Sequence, residues 1–379
     1  MSRSLSARTP SRRRRERFGH PFILLLLAAV IPLGGGCSNN DALVVPGPPS
    51  LRVPEDFPYP QAAVDSASSG MLVIVEPGVY THTEVRDVDP EEFPGGIRAA
   101  LFMKEGVSVT GTGDPGTAIL RDTTAADSTV GIVFVSVGNA TKAENLAVEA
   151  FGTGVLIRGQ GGYVENCRMS GDPVGVRVLQ AAEPLVIANL VEDAVDAGIR
   201  SDRDDGGYGA NFVRDCGVGI DVLGPGSPYL EANVLCGDHI GFRGALAATP
   251  ILRANVIRNN SGFGVLFTSG TLPDFTQNDL YGNGVDLGIQ AYEPPIDTLT
   301  AEGNYWASTD IPAIGLNRIR DAVDDPSAGA VVDYIPVSPI SFFPLNVDLN
   351  ALCGSASPGA SEMVLDVLKD LSGTVHHRP

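Results

Sequence analysis

Four charged residues recur at nearly one step along the chain: Arg177, Arg200, Asp221 and Arg243, separated by 23, 21 and 22 residues. Each stands two places after a glycine, namely Gly175, Gly198, Gly219 and Gly241. A row of guanidinium groups makes forks that grip carboxylates through paired hydrogen bonds. Beside the row, Ser201-Asp-Arg-Asp-Asp205 supplies three carboxylates, Asp202, Asp204 and Asp205, the residue type for general acid/base work or for a calcium ion. Stacked arginines about 5 Å apart repel one another unless nearby acids or an anionic ligand neutralise them. The plainer alternative, a solvated strand face followed by a polar turn, needs no ligand.

What must stack these residues is a repeat. Asn145, Asn166, Asn189, Asn211, Asn233, Asn255 and Asn278 follow one another at steps of 21 to 23 residues. Gly154, Gly175, Gly198, Gly219, Gly241 and Gly264 keep the same step, and Pro184, Pro228, Pro250 and Pro273 each precede their Asn by five residues. A fixed period of this size is the signature of a solenoid, each repeat one coil stacked on the last. Gly175-Val-Arg-Val-Leu179 and Gly219-Ile-Asp-Val-Leu223 alternate with a period of two, as strands do. Gly, Asn and Pro supply the corners. The expected fold is all-β, a coiled solenoid of about 22 residues per turn. Its interior is expected to hold the columns Val176, Ile199, Ile220, Phe242, Val265 and Tyr163, Val186, Tyr208, Leu230, Leu252, Phe275. The asparagines Asn166, Asn189, Asn211, Asn233, Asn255 and Asn278 are expected to bond amide to amide as an inward ladder.

The stretch Gln61 to Tyr80, ending in Pro77-Gly-Val-Tyr80, resembles the opening of right-handed parallel β-helix proteins of the pectin-lyase-like superfamily. Lys104-Glu-Gly-Val-Ser-Val-Thr-Gly111 is similar to that family's next strand, and Ser227-Pro-Tyr-Leu-Glu-Ala-Asn233 to its repeating coil. Asn304-Tyr-Trp306, Ile319 to Asp325 and Asp333-Tyr-Ile-Pro336 resemble its closing coil, with Ala307 where the family usually has glycine. The resemblance spans residues 56–345. It implies a right-handed parallel β-helix with a short N-terminal capping helix, on a scaffold that serves lyases, hydrolases, esterases, epimerases and binding modules alike.

Ahead of the repeat lies an export signal. Arg12 to Arg15 with Arg17 form a basic start, Phe22 to Leu33 a 12-residue apolar run too short to span a bilayer, and Gly34-Gly-Gly-Cys37 a small-residue site. Residues 1–36 read as a lipoprotein signal peptide, with Cys37 as the lipidated residue that anchors the chain to a membrane. In its resemblance to bacterial lipoproteins, Ser38 after the cysteine implies the outer membrane, on the periplasmic or the surface face. Residues 37–55 read as a tether and 56–345 as the domain. Residues 346–379 are a tail or cap in which Met363 to Leu371 fits a short amphipathic helix.

The full chain carries 26 basic and 45 acidic residues, a net charge of −19. Loss of residues 1–36 removes seven arginines and one glutamate and takes the mature chain to about −25, which excludes nucleic acid as a partner. Cys167, Cys216, Cys236 and Cys353 would lie in an oxidising compartment. Coil stacking puts Cys216 and Cys236 about 8 Å apart, too far to bridge, so buried free thiols are expected. His82 and His239 are isolated and no His/Cys spacing suggests a metal centre.

Two functions remain open. One is a lipid-anchored cell-envelope scaffold without catalysis, binding polysaccharide on the arginine face, with Tyr229 and Tyr281 as stacking platforms. The other is a polysaccharide-active enzyme (lyase, hydrolase or epimerase) acting on acidic glycans around Arg200, Asp202, Asp204 and Asp221, with calcium as a conceivable cofactor. The Asn-Thr-Asp and Arg-Tyr-Lys strings of polygalacturonase-like members are absent. The uninterrupted step from Gly198 to Asn211 also argues for a smooth rod over a walled cleft.

Overall fold

One coil explains the repeat in a computed structural model that describes residues 47–114, 116–124, 128–292, 297–342 and 349–353. Leu185–Ile187 is a short strand, and Ala188 then turns the first corner at φ 56°. Asn189 points inward, Leu190–Glu192 is the second strand, Asp193 turns the next corner at φ 60°, and Ala197–Asp202 is the third strand. The following coil pairs in parallel, Val186 with Tyr208, Val191 with Val213 and Ile199 with Ile220. Repetition gives three sheets, the first of ten strands, the second of nine and the third of eleven, parallel except where Glu84–Arg86 joins the edge of the third sheet antiparallel. The chain is a right-handed parallel β-helix, as its sequence resemblance implies.

The interior is the stack of inward residues. Val176, Ile199, Ile220, Phe242 and Val265 are fully buried, as are Val186, Tyr208, Leu230, Leu252 and Phe275. Tyr163 departs from the expectation. Val164 occupies the interior position, pairing with Val186, while Tyr163 faces outward beneath the Lys142 ammonium, 4.9 Å from its ring centroid.

The same one-residue offset corrects the asparagine ladder. Asn145 and Asn166 sit in the left-handed corner itself, at φ 57° and 51°, a conformation asparagine tolerates better than most residues. Leu146 and Cys167 then take the inward place. From Asn189 onward alanine turns most of the corners, at Ala188, Ala210, Ala232 and Ala254, with Gln277 before Asn278. The asparagine has moved one place inward, which is why the step from Asn166 to Asn189 is 23 residues. The inward ladder therefore runs Asn189, Asn211, Asn233, Asn255, Asn278 and Asn304, without Asn166. From Asn211 on, each Oδ1 accepts both the main-chain N–H and the Nδ2 of the asparagine one coil before, at 2.8–3.1 Å, while Asn189 Oδ1 accepts the Cys167 N–H. The second Nδ2 hydrogen goes to a strand carbonyl, as from Asn233 to Tyr208 at 2.9 Å. A buried amide with all its bonding capacity used costs little desolvation.

Both ends are closed. Pro60–Ser66 forms the expected capping helix, with proline in its first turn and Ala63 and Val64 buried. Buried Gln61 accepts the Phe102 N–H at 2.6 Å, satisfying the edge of the third sheet. At the far end Trp306 is fully buried and meets Tyr334 edge-on at 6.4 Å. Arg318 bonds the Trp306 carbonyl at 2.7 Å and Asp286 at 3.1 Å.

Two expectations about the flanks change. Ser50–Val53, assigned to the tether by its neighbouring prolines, is the outermost strand of the first sheet, pairing from Ser50 with Leu72 to Val53 with Val75. Leu51 and Val53 alternate as a strand requires, and the prolines lie outside it, at an edge where a missing N–H is tolerated. The cysteines differ as well. Cys236 is bridged to Cys353 with Cα atoms 5.9 Å apart, while Cys167 and Cys216 remain free and buried. Cys236 lies on the outward face of the second sheet, in register with Arg214 and Arg258. Its partner comes from the short helix Leu349–Cys353, which packs Leu349 and Leu352 on Leu190, Phe212, Val234 and Val256. Cys37, residues 1–36 and Met363 to Leu371 lie outside the described residues.

Candidate functional site

The third sheet positions the charged column. Gly198, second in its strand, is glycine because a Cβ there would come within 2.3 Å of Val213 Cγ1 and 2.8 Å of the Gly219 carbonyl oxygen of the next coil. With that close approach fixed, period-two alternation turns Ile199 inward and Arg200 outward. Arg177 pairs with Arg200, Arg200 with Asp221 and Asp221 with Arg243, so the four residues form one stack.

Within the stack Asp221 is fully buried between two arginines. Arg243 donates Nε to Oδ1 and Nη2 to Oδ2, both at 2.7 Å, and Arg200 donates Nε to Oδ2 at 3.3 Å. That embrace raises the Arg243 pKa, chiefly through its hydrogen bond to Asp221, and occupies the carboxylate on both sides. Arg177 has no acid partner among the described residues, and its Nε is buried without a hydrogen bond. Its neighbours in register are Leu156 and Arg200. The arrangement can hold an anion beside Arg177 and Arg200, but Asp221 has no free lone pair directed at solvent with which to act as a base.

The three candidate acids do not converge. Asp202 lies on the outward face, where Arg203 Nε donates to it at 3.0 Å. Asp204 points inward, 2% exposed, and accepts from the Gly206 N–H at 2.8 Å, the Tyr208 hydroxyl at 3.0 Å and the Ser201 hydroxyl. Burial pushes its carboxyl above the usual carboxylate range, and those donors only partly offset the effect. Asp205 is exposed and accepts the Ser227 N–H at 2.7 Å, fastening one corner to the next. Among the described residues no group of three or more His, Cys, Asp or Glu side chains is placed to hold a metal ion. His82 stacks on Tyr59 at 3.8 Å and His239 faces the Ser261 hydroxyl at 3.2 Å.

The expectation of a smooth rod also needs amendment. The segment from Thr81 to Gly96 folds over the outward face of the first coils, laying Val88 and Phe93 on Val133, Leu156 and Leu179. Arg158 is drawn into it by Asp89 and Glu92. Beyond this cover the Arg200 and Arg243 side chains stay 26% and 33% exposed. Of the two tyrosines, Tyr229 is 38% exposed, whereas Tyr281 is engaged by Arg258 and Tyr305. Sequence reasoning missed the C-terminal strap and its polar contacts, Arg214 to the Leu352 carbonyl at 3.3 Å and Arg258 to Asn350 at 2.6 Å. Sequence patterns carry no signal for a pairing 117 residues long. No described helix is long and apolar enough to cross a membrane.

Similar solved structures include the crystal structure of pectate lyase Pel9A, at 13% identity over 74% of this chain and 72% of that one, TM-score 0.48. They also include two mannuronan C-5 epimerase A-modules from Azotobacter vinelandii. That of AlgE4 is 16% identical over 66% and 74% of the two chains, TM-score 0.46, and that of AlgE6 13% identical over 72% and 94%, TM-score 0.36. No curated protein sequence matches significantly. Residues 105–304 match the family described as "Right handed beta helix region", a span of just over half the chain and the one that holds the asparagine ladder and the charged column. By fold, register and sequence, the chain belongs to the right-handed β-helix family.

Proposed function

We propose that the protein is an exported, lipid-anchored component of the bacterial cell envelope that binds an anionic polysaccharide along the outward face of its third sheet and does not cleave it. The observation that carries the reading is Arg177, a cation with no acid partner among the described residues, next to Arg200, whose Nε makes one 3.3 Å bond. On a chain of net charge −19, this strip gathers Arg177, Arg200, Arg203 and Arg243 against Asp202 and Asp221. Guanidinium groups at strand spacing suit a polymer that presents carboxylates in series. Cleavage is not part of the proposal because Asp221 is clamped and Asp204 is inside the core, so the candidate acids leave no free carboxylate pair beside the strip among the described residues. Export and anchoring at the outer membrane through Cys37 rest on the signal-like start. The Cys236–Cys353 bridge is in keeping with an oxidising compartment.

The test is size-exclusion chromatography of the protein with neutral and uronic-acid polysaccharides, with calcium and with chelator, following both peaks. Co-elution with intact polyuronate, lost in Arg177→Ala and Arg200→Ala, is the expected result. A polymer peak moving to smaller size would replace the proposal with an enzyme, and unchanged peaks would remove polysaccharide binding altogether.

A further inference from the structure

The corner between the second and third sheets carries a second ladder, made of residues other than the first. Strand register stacks Phe151, Asp172, Ala194, Cys216, Asp238, Asn260 and Asn283 at one inward position. At its upper end the ladder is built of amides. Asn283 Oδ1 accepts the N–H and the Nδ2 of Asn260 at 3.0 and 2.9 Å, and the spare Nδ2 hydrogens of Asn260 and Asn283 go to the Leu235 and Ile257 carbonyls at 3.3 and 3.0 Å.

Lower down, aspartates stand where the amides stand. Asp238 donates its N–H to Asn260 Oδ1 at 2.9 Å, and its own Oδ1 accepts the Cys216 N–H at 2.8 Å. Asp172 Oδ1 likewise accepts the Phe151 N–H at 2.7 Å. In both residues the other oxygen, Oδ2, is buried without a hydrogen-bond partner, and it occupies the place of the amide nitrogen in Asn260. An ionised carboxylate with a bare buried oxygen is a costly arrangement, whereas an O–H at that atom is a donor like the amide it replaces. The titratable groups that act on Asp172 and Asp238 include no cation: Glu149 faces Asp172, while Asp215 and the Cys216 thiol face Asp238.

We propose that Asp172 and Asp238 are carried as neutral carboxylic acids that complete the second ladder, making this corner a pH-sensitive seam whose inter-coil contacts are strongest in acid and weaken as the medium turns alkaline. Burial lifts the Asp172 carboxyl to about 8 and that of Asp238 well above its ordinary value. A carboxyl raised on folding contributes stability that is complete below its unfolded pKa and is lost as pH rises through the folded one. For Asp172 the loss therefore runs from the ordinary 3.8 up to about 8.

The experiment compares urea midpoints of the intact chain and of Asp172→Asn, Asp238→Asn and the double variant from pH 5 to pH 9. The Asn variants are expected to lie nearest the parent at pH 5, to exceed it by a margin that grows up to about pH 8 and persists at pH 9, and to flatten the profile progressively. Infrared spectra at pH 6 supply the second readout, because a protonated carboxylic acid has a carbonyl stretch apart from the carboxylate band. That stretch should diminish in each single variant and fall furthest in the double variant. A parent midpoint that is constant or rises with pH, Asn variants less stable than the parent at pH 9, or an unchanged infrared band would overturn the proposal.

Discussion

Arg243 holds Asp221 in a two-point grip, Nε to Oδ1 and Nη2 to Oδ2, each 2.7 Å long, around a carboxylate with no exposed surface. Arg200 completes the embrace from the coil before. The relationship assigns Asp221 two effects of opposite sign. It neutralises stacked arginines, which favours the fold, and it competes with any external anion for them.

Asp221→Ala separates those effects. Removing one partner of a buried ion pair costs roughly 3 kcal/mol or more, so the urea midpoint should fall clearly. The same change frees Arg200 and Arg243 for an outside carboxylate, so polyuronate retention on a column should rise while stability drops. Stability falling with retention unchanged would limit Asp221 to a structural role.

Reduction of the Cys236–Cys353 bridge should lower stability without dismantling the solenoid. The bridge closes a sequence separation of 117 residues, for which the chain-entropy model gives about 4–5 kcal/mol and measured cases give about 2–5. Because the strap covers Leu190, Phe212, Val234 and Val256, Cys353→Ser should also increase binding of a hydrophobic dye and speed proteolysis near Leu349. The far-ultraviolet signature of the sheets should stay as it is. A variant as stable and as protease-resistant as the parent would mean that packing alone holds the strap.

The fold was legible because its period is written in residues with few conformational alternatives. Glycine at positions such as Gly198 is required by close backbone stacking, and asparagine wherever a corner or a ladder needs an amide, so both recur with the coil. The column Arg177, Arg200, Asp221 and Arg243 followed directly from that register. The period does not tell which of two adjacent corner sites an asparagine fills, and Asn166 and Tyr163 were each misplaced by one residue for that reason. Contacts outside the period left no trace in it. The cover from Thr81 to Gly96 and the strap at Leu349–Cys353 depend on segments that meet only after folding. Asp204 instead turns inward onto Ser201, Gly206 and Tyr208 of its own corner, a local arrangement that does not recur with the coil.

Asn233→Ala should be among the most damaging substitutions in the interior. It strands the N–H and the Nδ2 of Asn211, takes the amide donor from the Tyr208 carbonyl, and leaves the Asn255 Oδ1 with only the main-chain N–H of residue 233. At about 1–3 kcal/mol for each buried group left unsatisfied, a loss of roughly 3 kcal/mol or more is expected in denaturant unfolding. Asn233→Asp should be tolerated in acid, where the carboxyl keeps a hydrogen to donate, and should be destabilising at pH 8. Equal stability of Asn233→Ala and the parent would mean that water replaces the amide at no cost.

Cys167→Asn tests the ladder by extending it. Cys167 fills the inward position one coil below Asn189, fully buried, and its N–H already donates to Asn189 Oδ1 at 3.0 Å. Its thiol lies 3.7 Å from the Ala143 carbonyl, the group equivalent to the one that receives the spare Nδ2 hydrogen on every coil above. An asparagine here can direct one amide hydrogen to Ala143 and the other to Asn189 Oδ1, and can offer its own Oδ1 to the N–H of Leu146. Two or three new buried hydrogen bonds, each worth about 1 kcal/mol net, stand against the small cost of fitting a slightly larger side chain. Cys167→Asn should therefore unfold at a higher urea concentration than the parent, and its gain should vanish when combined with Asn189→Ala, which removes the rung it would join. A lower midpoint for Cys167→Asn would show that the coil at Cys167 is too tightly packed to admit a rung, and that the ladder begins at Asn189 for steric reasons.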